Sequence, residues 1–181
     1  FEFNNYYVHR DGKICIPVMG EFHFSRHSSQ NWEDELLKMK AGGIDIVATY
    51  VFWIHMEEEE GIFDWSGNKN LRQFIFLCAR HQLQVLVRIG PFAHGECRNG
   101  GLPDWLYGRP FTVRSNDPAY LAYVGRLYGE IAKQLEGLLF KDNGPVIAIQ
   151  LDNEYMHCGA PWEVTLRPGM EWVSSGSDGV E

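Results

Sequence analysis

The sequence predicts an α/β fold in which a parallel sheet carries its helices on the outside. Three observations predict it. Apolar, β-branched runs of strand length alternate with segments whose apolar residues recur at helical spacing. The runs are nearly continuous in hydrophobicity, as strands buried on both faces are. Polar or aromatic residues stand at the carboxyl end of each run, near Glu21, Tyr50, Glu96 and Glu154. Strand carboxyl ends are where α/β barrels place their chemistry, so the pattern reads as a (β/α)8 TIM barrel with about its first four β/α units in this chain.

Residues 1–13 read as a lead-in strand or hairpin, with Arg10-Asp11-Gly12-Lys13 as its turn. Residues 14–158 carry the four strand and helix units. The first strand is expected within residues 15–24. Ser28, Ser29 or Asn31 is expected to cap the following helix, in which Trp32, Leu36, Leu37 and Met39 share a face and Glu33, Asp34 and Glu35 load the first turn. Gly42-Gly43 ends it. The second strand spans residues 44–53. The acidic run Glu57-Glu58-Glu59-Glu60 behind it reads as a solvated loop. A second helix over residues 71–81 places Leu71, Phe74, Ile75 and Cys78 on one face. The third strand covers residues 84–89, and a polar loop follows it through residues 92–101. Residues 102–106 form a short helical turn in which Trp105 is either a stacking platform or, the favoured reading, part of the core. The third long helix opens at Asp117-Pro118 behind an Asn116 or Asp117 cap and runs to about residue 139 on Leu121, Val124, Leu127, Tyr128, Ile131 and Leu135. Residues 159–181 read as an extended loop where the chain stops.

The fourth strand is the one that points to chemistry. Gly144-Pro145 turns into Val146-Ile147-Ala148-Ile149-Gln150-Leu151, and the apolar run then changes abruptly to Asp152-Asn153-Glu154-Tyr155. Two acids and an amide at the end of a buried strand are costly unless they line a cavity and are used. Asp152 and Glu154 either cap a following helix or serve chemistry; the abrupt change at the end of an apolar strand favours chemistry and makes Glu154 the candidate catalytic acid, expected to have its pKa raised by desolvation. Paired carboxylates across a cleft are what glycoside hydrolysis needs, and for that chemistry Asn153 beside Glu154 can donate to a sugar hydroxyl. Glu21 and Glu96 either bind sugar hydroxyls or pair with Arg26, Arg88 or Arg98. His94 either binds a hydroxyl or is satisfied by a neighbouring carbonyl.

The totals narrow the partners. A chain of 181 residues is short of the roughly 250 of a closed barrel. It is therefore read as the N-terminal part of a larger catalytic domain. A formal net charge of −8 argues against a nucleic-acid backbone or an anionic membrane surface. No apolar run is long enough for membrane insertion; no signal peptide is visible, but the chain begins at Phe1 rather than Met, which leaves its natural start open. An aromatic share of 14% suits a cleft that receives flat sugar faces. Cys15, Cys78, Cys97 and Cys158 form no CxxC pair; their even count allows disulfides and their spacing does not decide, with free buried thiols the favoured reading. The histidines are scattered, so no metal site and no cofactor is expected.

Seven segments in order then carry a resemblance: Gly20-Glu21-Phe22-His23, Trp32-Glu33-Asp34, Thr49-Tyr50-Val51-Phe52-Trp53, Gly61-Ile62-Phe63-Asp64-Trp65, Arg88-Ile89-Gly90-Pro91-Phe92, Gly100-Gly101-Leu102-Pro103-Asp104-Trp105-Leu106 and Asn153-Glu154-Tyr155. Together they resemble the N-terminal half of the catalytic barrel of glycoside hydrolase family 35, the β-galactosidases. The resemblance implies a retaining exo-glycosidase that takes a terminal β-galactoside or related glycan. Glu154 would be the general acid/base and Asn153 would hold the 2-hydroxyl. Tyr50, Glu96 and the backbone at His94-Gly95 would line the subsite for the terminal sugar. The nucleophile, a Glu on a seventh strand, lies outside this chain. The family's Asn and His-Glu-Pro after the Trp are replaced by Ile54-His55-Met56-Glu57, and its Ala-Glu-Trp by Gly95-Glu96-Cys97, which alters the subsite rim. The competing reading is an inactive carbohydrate-binding barrel. The isolated chain is expected to be inactive and prone to associate. Polysaccharide processing would suit a secreted or periplasmic enzyme; oligomeric state is left open.

Overall fold

A computed structural model describes residues 2–155. The expected loop at 159–181 and Cys158 lie outside these residues. The lead-in is a three-stranded antiparallel sheet of β1 (Glu2–Phe3), β2 (Val8–Arg10) and β3 (Lys13–Cys15). Arg10 pairs with Lys13 across the expected turn, where Asp11 and Gly12 both take positive φ.

Four further strands form one parallel sheet in chain order: β4 (Met19–Glu21), β5 (Ile46–Tyr50), β6 (Gln84–Arg88) and β7 (Val146–Gln150). Helices α1 (Trp32–Ala41), α3 (Leu71–Arg80) and α4 (Pro118–Leu135) lie between them in the chain, with a one-turn helix α2 (Trp53–Met56) after β5. The α/β class with a parallel sheet is thus present.

The boundaries differ from expectation for physical reasons. The apolar stretch 15–24 does not make one strand. Pro17 lacks the N–H a ladder needs and separates β3 from β4, and Phe24–Arg26 closes into a 3-10 turn. The second strand stops at Tyr50 rather than residue 53. One helical turn brings residue i next to residue i+4, and here it sets the Trp53 indole on the Glu57 carboxylate at 2.6 Å.

Neither Ser28 nor Asn31 caps α1 with its side chain. The chain enters α1 through a 3-10 turn, Ser29–Asn31, with Asn31 already at helical φ and ψ. The side chain of Asn68 instead accepts from Ser29 N at 2.8 Å. Asp117 does cap α4, accepting from Ala119 N at 2.9 Å with Pro118 at the first helical position. Asn70 caps α3 in the same way through Gln73 N. At the end of α1 the Ile44 N–H reaches back to Met39 O at 3.1 Å around Gly43, at φ +89°.

The core lies between sheet and helices. Leu71, Phe74, Ile75 and Cys78 of α3 are all fully buried, as their spacing predicted. Phe74 stacks on Phe24 and meets Trp32 edge-on at 5.4 Å. The Trp32 indole N–H is satisfied by the carbonyls of Phe24 and His27. Burial of one such side chain stabilises the fold by about 1.5–3 kcal/mol. On α4 the buried stripe is Tyr120, Val124, Leu127, Ile131 and Leu135, whereas Leu121 is exposed. Leu37 of α1 is exposed as well.

Strand β5 is buried at every residue. Strand β7 is not: Ile149 is exposed, and so is Leu151 just beyond it. Among the described residues β7 has β6 on one side and no strand on the other, so double-sided burial does not reach it.

The acidic run is also divided. Glu58, Glu59 and Glu60 are exposed, but Glu57 is fully buried. Its carboxylate accepts from the Trp53 indole, from Gly61 N at 2.6 Å and from Arg126, and its carbonyl takes the Trp105 indole at 2.9 Å. Trp105 is half-buried and packs edge-on to Trp53, a structural position as expected.

Candidate active site

Four parallel strands end on one edge, and their last residues meet there. Glu21 comes from β4, Tyr50 from β5, Arg88 from β6 and Asn153-Glu154 from the segment after β7. Parallel pairing makes this meeting unavoidable, because it puts every carboxyl end on the same side.

Asn153 is buried at the centre of the group. Its Oδ1 accepts from the Tyr50 hydroxyl and from Arg88 Nη2, both at 2.7 Å. Arg88 also pairs with Glu21 and lies 3.8 Å over the Tyr50 ring. Burial pushes the Tyr50 phenol up to about 12, with Arg88 pulling in the other direction, so at neutral pH it is a protonated donor. His23 sits on Tyr50 and Phe52, with ring centroids 5.1 and 5.5 Å away, and Nε2 3.7 Å from Glu21. Burial holds its imidazole below the usual histidine value.

Glu154 is exposed, with its backbone at φ 43°. No hydrogen bond or ion pair among the described residues engages its carboxylate. Its charge is felt at the Tyr50 hydroxyl, which places it beside the cluster. The expected desolvation is therefore a point of difference: the end of an edge strand leaves Glu154 open to solvent.

The preceding residues hold this end of β7 in place. Asp152 N donates to Gly90 O at 2.7 Å, and Asp152 Oδ1 accepts from Asn153 N. Arg114, buried, donates to Asp152 at 3.0 Å and to Asn153 O at 2.9 Å while its guanidinium covers Phe92. Burial raises the Asp152 carboxyl and Arg114 pulls it back. Asp152 is thus an anchor for the turn.

The loop after β6 supplies the other expected residues. His94, Gly95 and Glu96 all have left-handed backbone, at φ 54°, 50° and 49°. Such runs of unusual backbone collect at functional sites. Gly95 is needed there: a Cβ would lie 3.0 Å from the Phe52 ring. Gly100 closes the loop by accepting from Ala93 N and His94 N, and a Cβ at Gly100 would meet the Phe92 ring at 1.9 Å. The His94 backbone is thereby satisfied, while its ring meets Phe92 edge-on. Glu96 is exposed, and its charge reaches both His23 and Tyr50.

The structure thus brings Tyr50 and Asn153 together directly and sets Glu154 and the His94–Glu96 loop alongside. Sequence reasoning passed over three residues here. Arg88 appeared only as a possible ion-pair partner, whereas it bridges Glu21 and Asn153. His23 and Arg114 were not singled out. The signal for Arg88 and His23 was present, since Arg88 closes β6 and His23 follows the end of β4 by two residues; nothing local marks Arg114. Among the described residues no group of three or more His, Cys, Asp or Glu is placed to hold a metal ion. None of their helices is long and apolar enough to cross a membrane.

The family model described as Glycosyl hydrolases family 35 matches residues 8–170. A β-galactosidase of Xanthomonas manihotis is 42% identical over 147 residues, 81% of this chain and 25% of that protein. That of Bos taurus is 38% identical over 147 residues, 81% of this chain and 22% of its own length. The chain thus spans about a quarter of the length of the curated relatives it matches. Among solved structures, the exo-β-1,4-mannosidase Op5Man5 from Opitutaceae bacterium strain TAV5 superposes with a TM-score of 0.62 at 19% identity, over 88% of this chain and 29% of that one, a likeness of fold. With the family model covering most of its length and relatives this similar, the chain belongs to glycosyl hydrolases family 35.

Proposed function

We propose that the chain is the N-terminal part, residues 1–181, of a (β/α)8 catalytic domain that hydrolyses terminal β-galactosides with retention. The four parallel strands are its first four, and the exposed Ile149 and Leu151 are surface that further strands would cover. Glu154 protonates the departing glycosidic oxygen, then takes a proton from water in the second step. The nucleophile is a carboxylate outside this chain, about 5–5.5 Å away in a retaining pair. Tyr50, Glu96 and the His94-Gly95 backbone line the subsite, and Asn153 donates its amide N–H to the 2-hydroxyl.

One observation carries this reading. Asn153 Oδ1 is taken by two donors, so its NH2 is the part of the amide left to donate to a ligand, and Asn153 adjoins Glu154 in the chain. The solvent-open setting of Glu154 suits an acid that meets substrate, since a bound sugar would supply the desolvation.

The test is Glu154→Gln in the full-length protein on an aryl β-galactoside. We expect hydrolysis to fall by about 10²–10⁴-fold, the usual contribution of a general acid/base. Turnover at the parent rate would overturn the assignment. Proton NMR of the first-formed sugar should show the β-anomer, and the α-anomer would exclude retention.

A further inference from the structure

We infer that Cys97, with His55 as its base, is a covalent modification site for soft, uncharged carbon electrophiles. Cys97 Sγ lies 3.9 Å from His55 Nε2, and His55 Nδ1 lies 2.9 Å from Ser25 Oγ. This is the order nucleophile, base, orienting group. The three residues come from separate parts of the chain: the loop after β6, the one-turn α2, and the 3-10 turn Phe24–Arg26. Burial holds the His55 imidazole below its ordinary value, so it is neutral at neutral pH and has a lone pair to offer. In the tautomer that donates Nδ1–H to Ser25 Oγ, that lone pair is on Nε2, the nitrogen 3.9 Å from the thiol.

The pair opens on a cleft of about 400 Å³, lined by Ile54, His55, Glu58, Cys97, Arg98 and Asp104. That volume is at the small end of ligand-binding clefts. The cleft walls are nearly balanced in charge: Arg98 pairs with Asp104 at 2.5 Å, and Glu58 with Lys69 at 2.7 Å. Arg26 and Lys69 disfavour the charged form of His55 and Glu58 favours it. An uncharged reagent is therefore the better match. The inner side of Cys97 packs on Tyr50, Phe52, Ile54 and Ala93, so the sulfur is backed by an apolar wall.

The step balances without an oxidant. Sulfur attacks the carbon, an S–C bond forms, and the carbon–leaving-group bond breaks with its electron pair. The thiol proton passes to His55 Nε2 and then to solvent. The proposal stands apart from the glycosidase reading, because its readout is thiol labelling rather than turnover.

The experiment is iodoacetamide labelling of the full-length protein under reducing conditions, followed by peptide mass spectrometry. Cys15 is the internal reference, since it too is a free, half-buried thiol. Cys78, fully buried, reports whether each variant is folded. Cys97 should label about ten-fold faster than Cys15, and His55→Gln should remove most of that excess. Equal rates at Cys97 and Cys15 would overturn the inference, as would an unchanged ratio in His55→Gln. If that variant exposes Cys78 to label, Ser25→Ala replaces it: a several-fold lower ratio supports the inference and an unchanged one refutes it.

Discussion

The guanidinium of Arg88 lies 3.8 Å over the Tyr50 ring, and both side chains donate to one atom, Asn153 Oδ1, each at 2.7 Å. An amide oxygen has two lone pairs, and here both are occupied. The amide cannot flip without losing two hydrogen bonds, one of them charge-assisted. Arg88 in turn is held by Glu21. A chain of side chains from three strands thereby fixes the direction in which Asn153 donates.

Arg88→Lys tests this chain. A lysine keeps the charge but has no planar fork with which to reach Glu21 and Asn153 together. In the full-length protein kcat/KM for an aryl β-galactoside should fall by about 10²-fold, the scale of a small misplacement in a positioned site. Tyr50→Phe should cost less, about ten-fold, because Arg88 still holds the amide. Since both residues act on one atom, the double variant should lose less than the product of the two. Strictly multiplicative losses would show that Tyr50 and Arg88 act separately.

Glu57 makes the strongest stability prediction. Its carboxylate is fully buried and is shared by the Trp53 indole, Gly61 N and Arg126. Removing it leaves three donors without their acceptor, one of them a guanidinium. Glu57→Ala should destabilise the domain by about 3 kcal/mol, the low end for a broken buried pair because Arg126 is partly exposed. The measurement is a urea titration followed by tryptophan fluorescence. A change comparable to that for Glu59→Ala, a neighbour on the exposed side, would refute it.

Glu57 also shows where the sequence could be read and where it could not. Four consecutive acids look alike on paper. Only the helical turn at Trp53, which places residue 57 four positions on and inward, separates the first from the rest. The strand order, the α3 face and the Asp117 cap were legible because each rests on a local rule of spacing or capping. The convergence of Tyr50, Arg88 and Asn153 was legible only in part: parallel strands imply that their ends meet, but no local pattern says which atoms touch across 103 positions of chain. Arg114 lies beyond such rules altogether, since its role depends on a turn after β7 folding back onto the approach to α4. The expected desolvation of Glu154 failed for a related reason. An apolar run predicts burial only if both neighbouring strands are present, and β7 has one among the described residues.

The two shifted histidines set a pH dependence whose sign follows from linkage. Burial lowers both His23 and His55 below the ordinary imidazole value of 6.5. Between that value and their folded values, the unfolded chain binds protons that the folded chain does not. Stability is therefore full above about pH 6.5 and declines as pH falls through this window. Glu21 and Glu96 favour the charged form of His23, and Arg26 and Arg88 oppose it, so the burial effect is only partly offset. Asp152 works in the opposite sense, because its raised carboxyl favours the folded state as pH falls. It is common to the parent and to a His23→Gln variant, so their difference isolates the histidine. We expect the parent's urea midpoint to drop between pH 7.5 and 5.5, about one unit on either side of the imidazole value, and the His23→Gln midpoint to drop less. A variant that loses as much as the parent would show that His23 takes up its proton in the folded chain as readily as in the unfolded one.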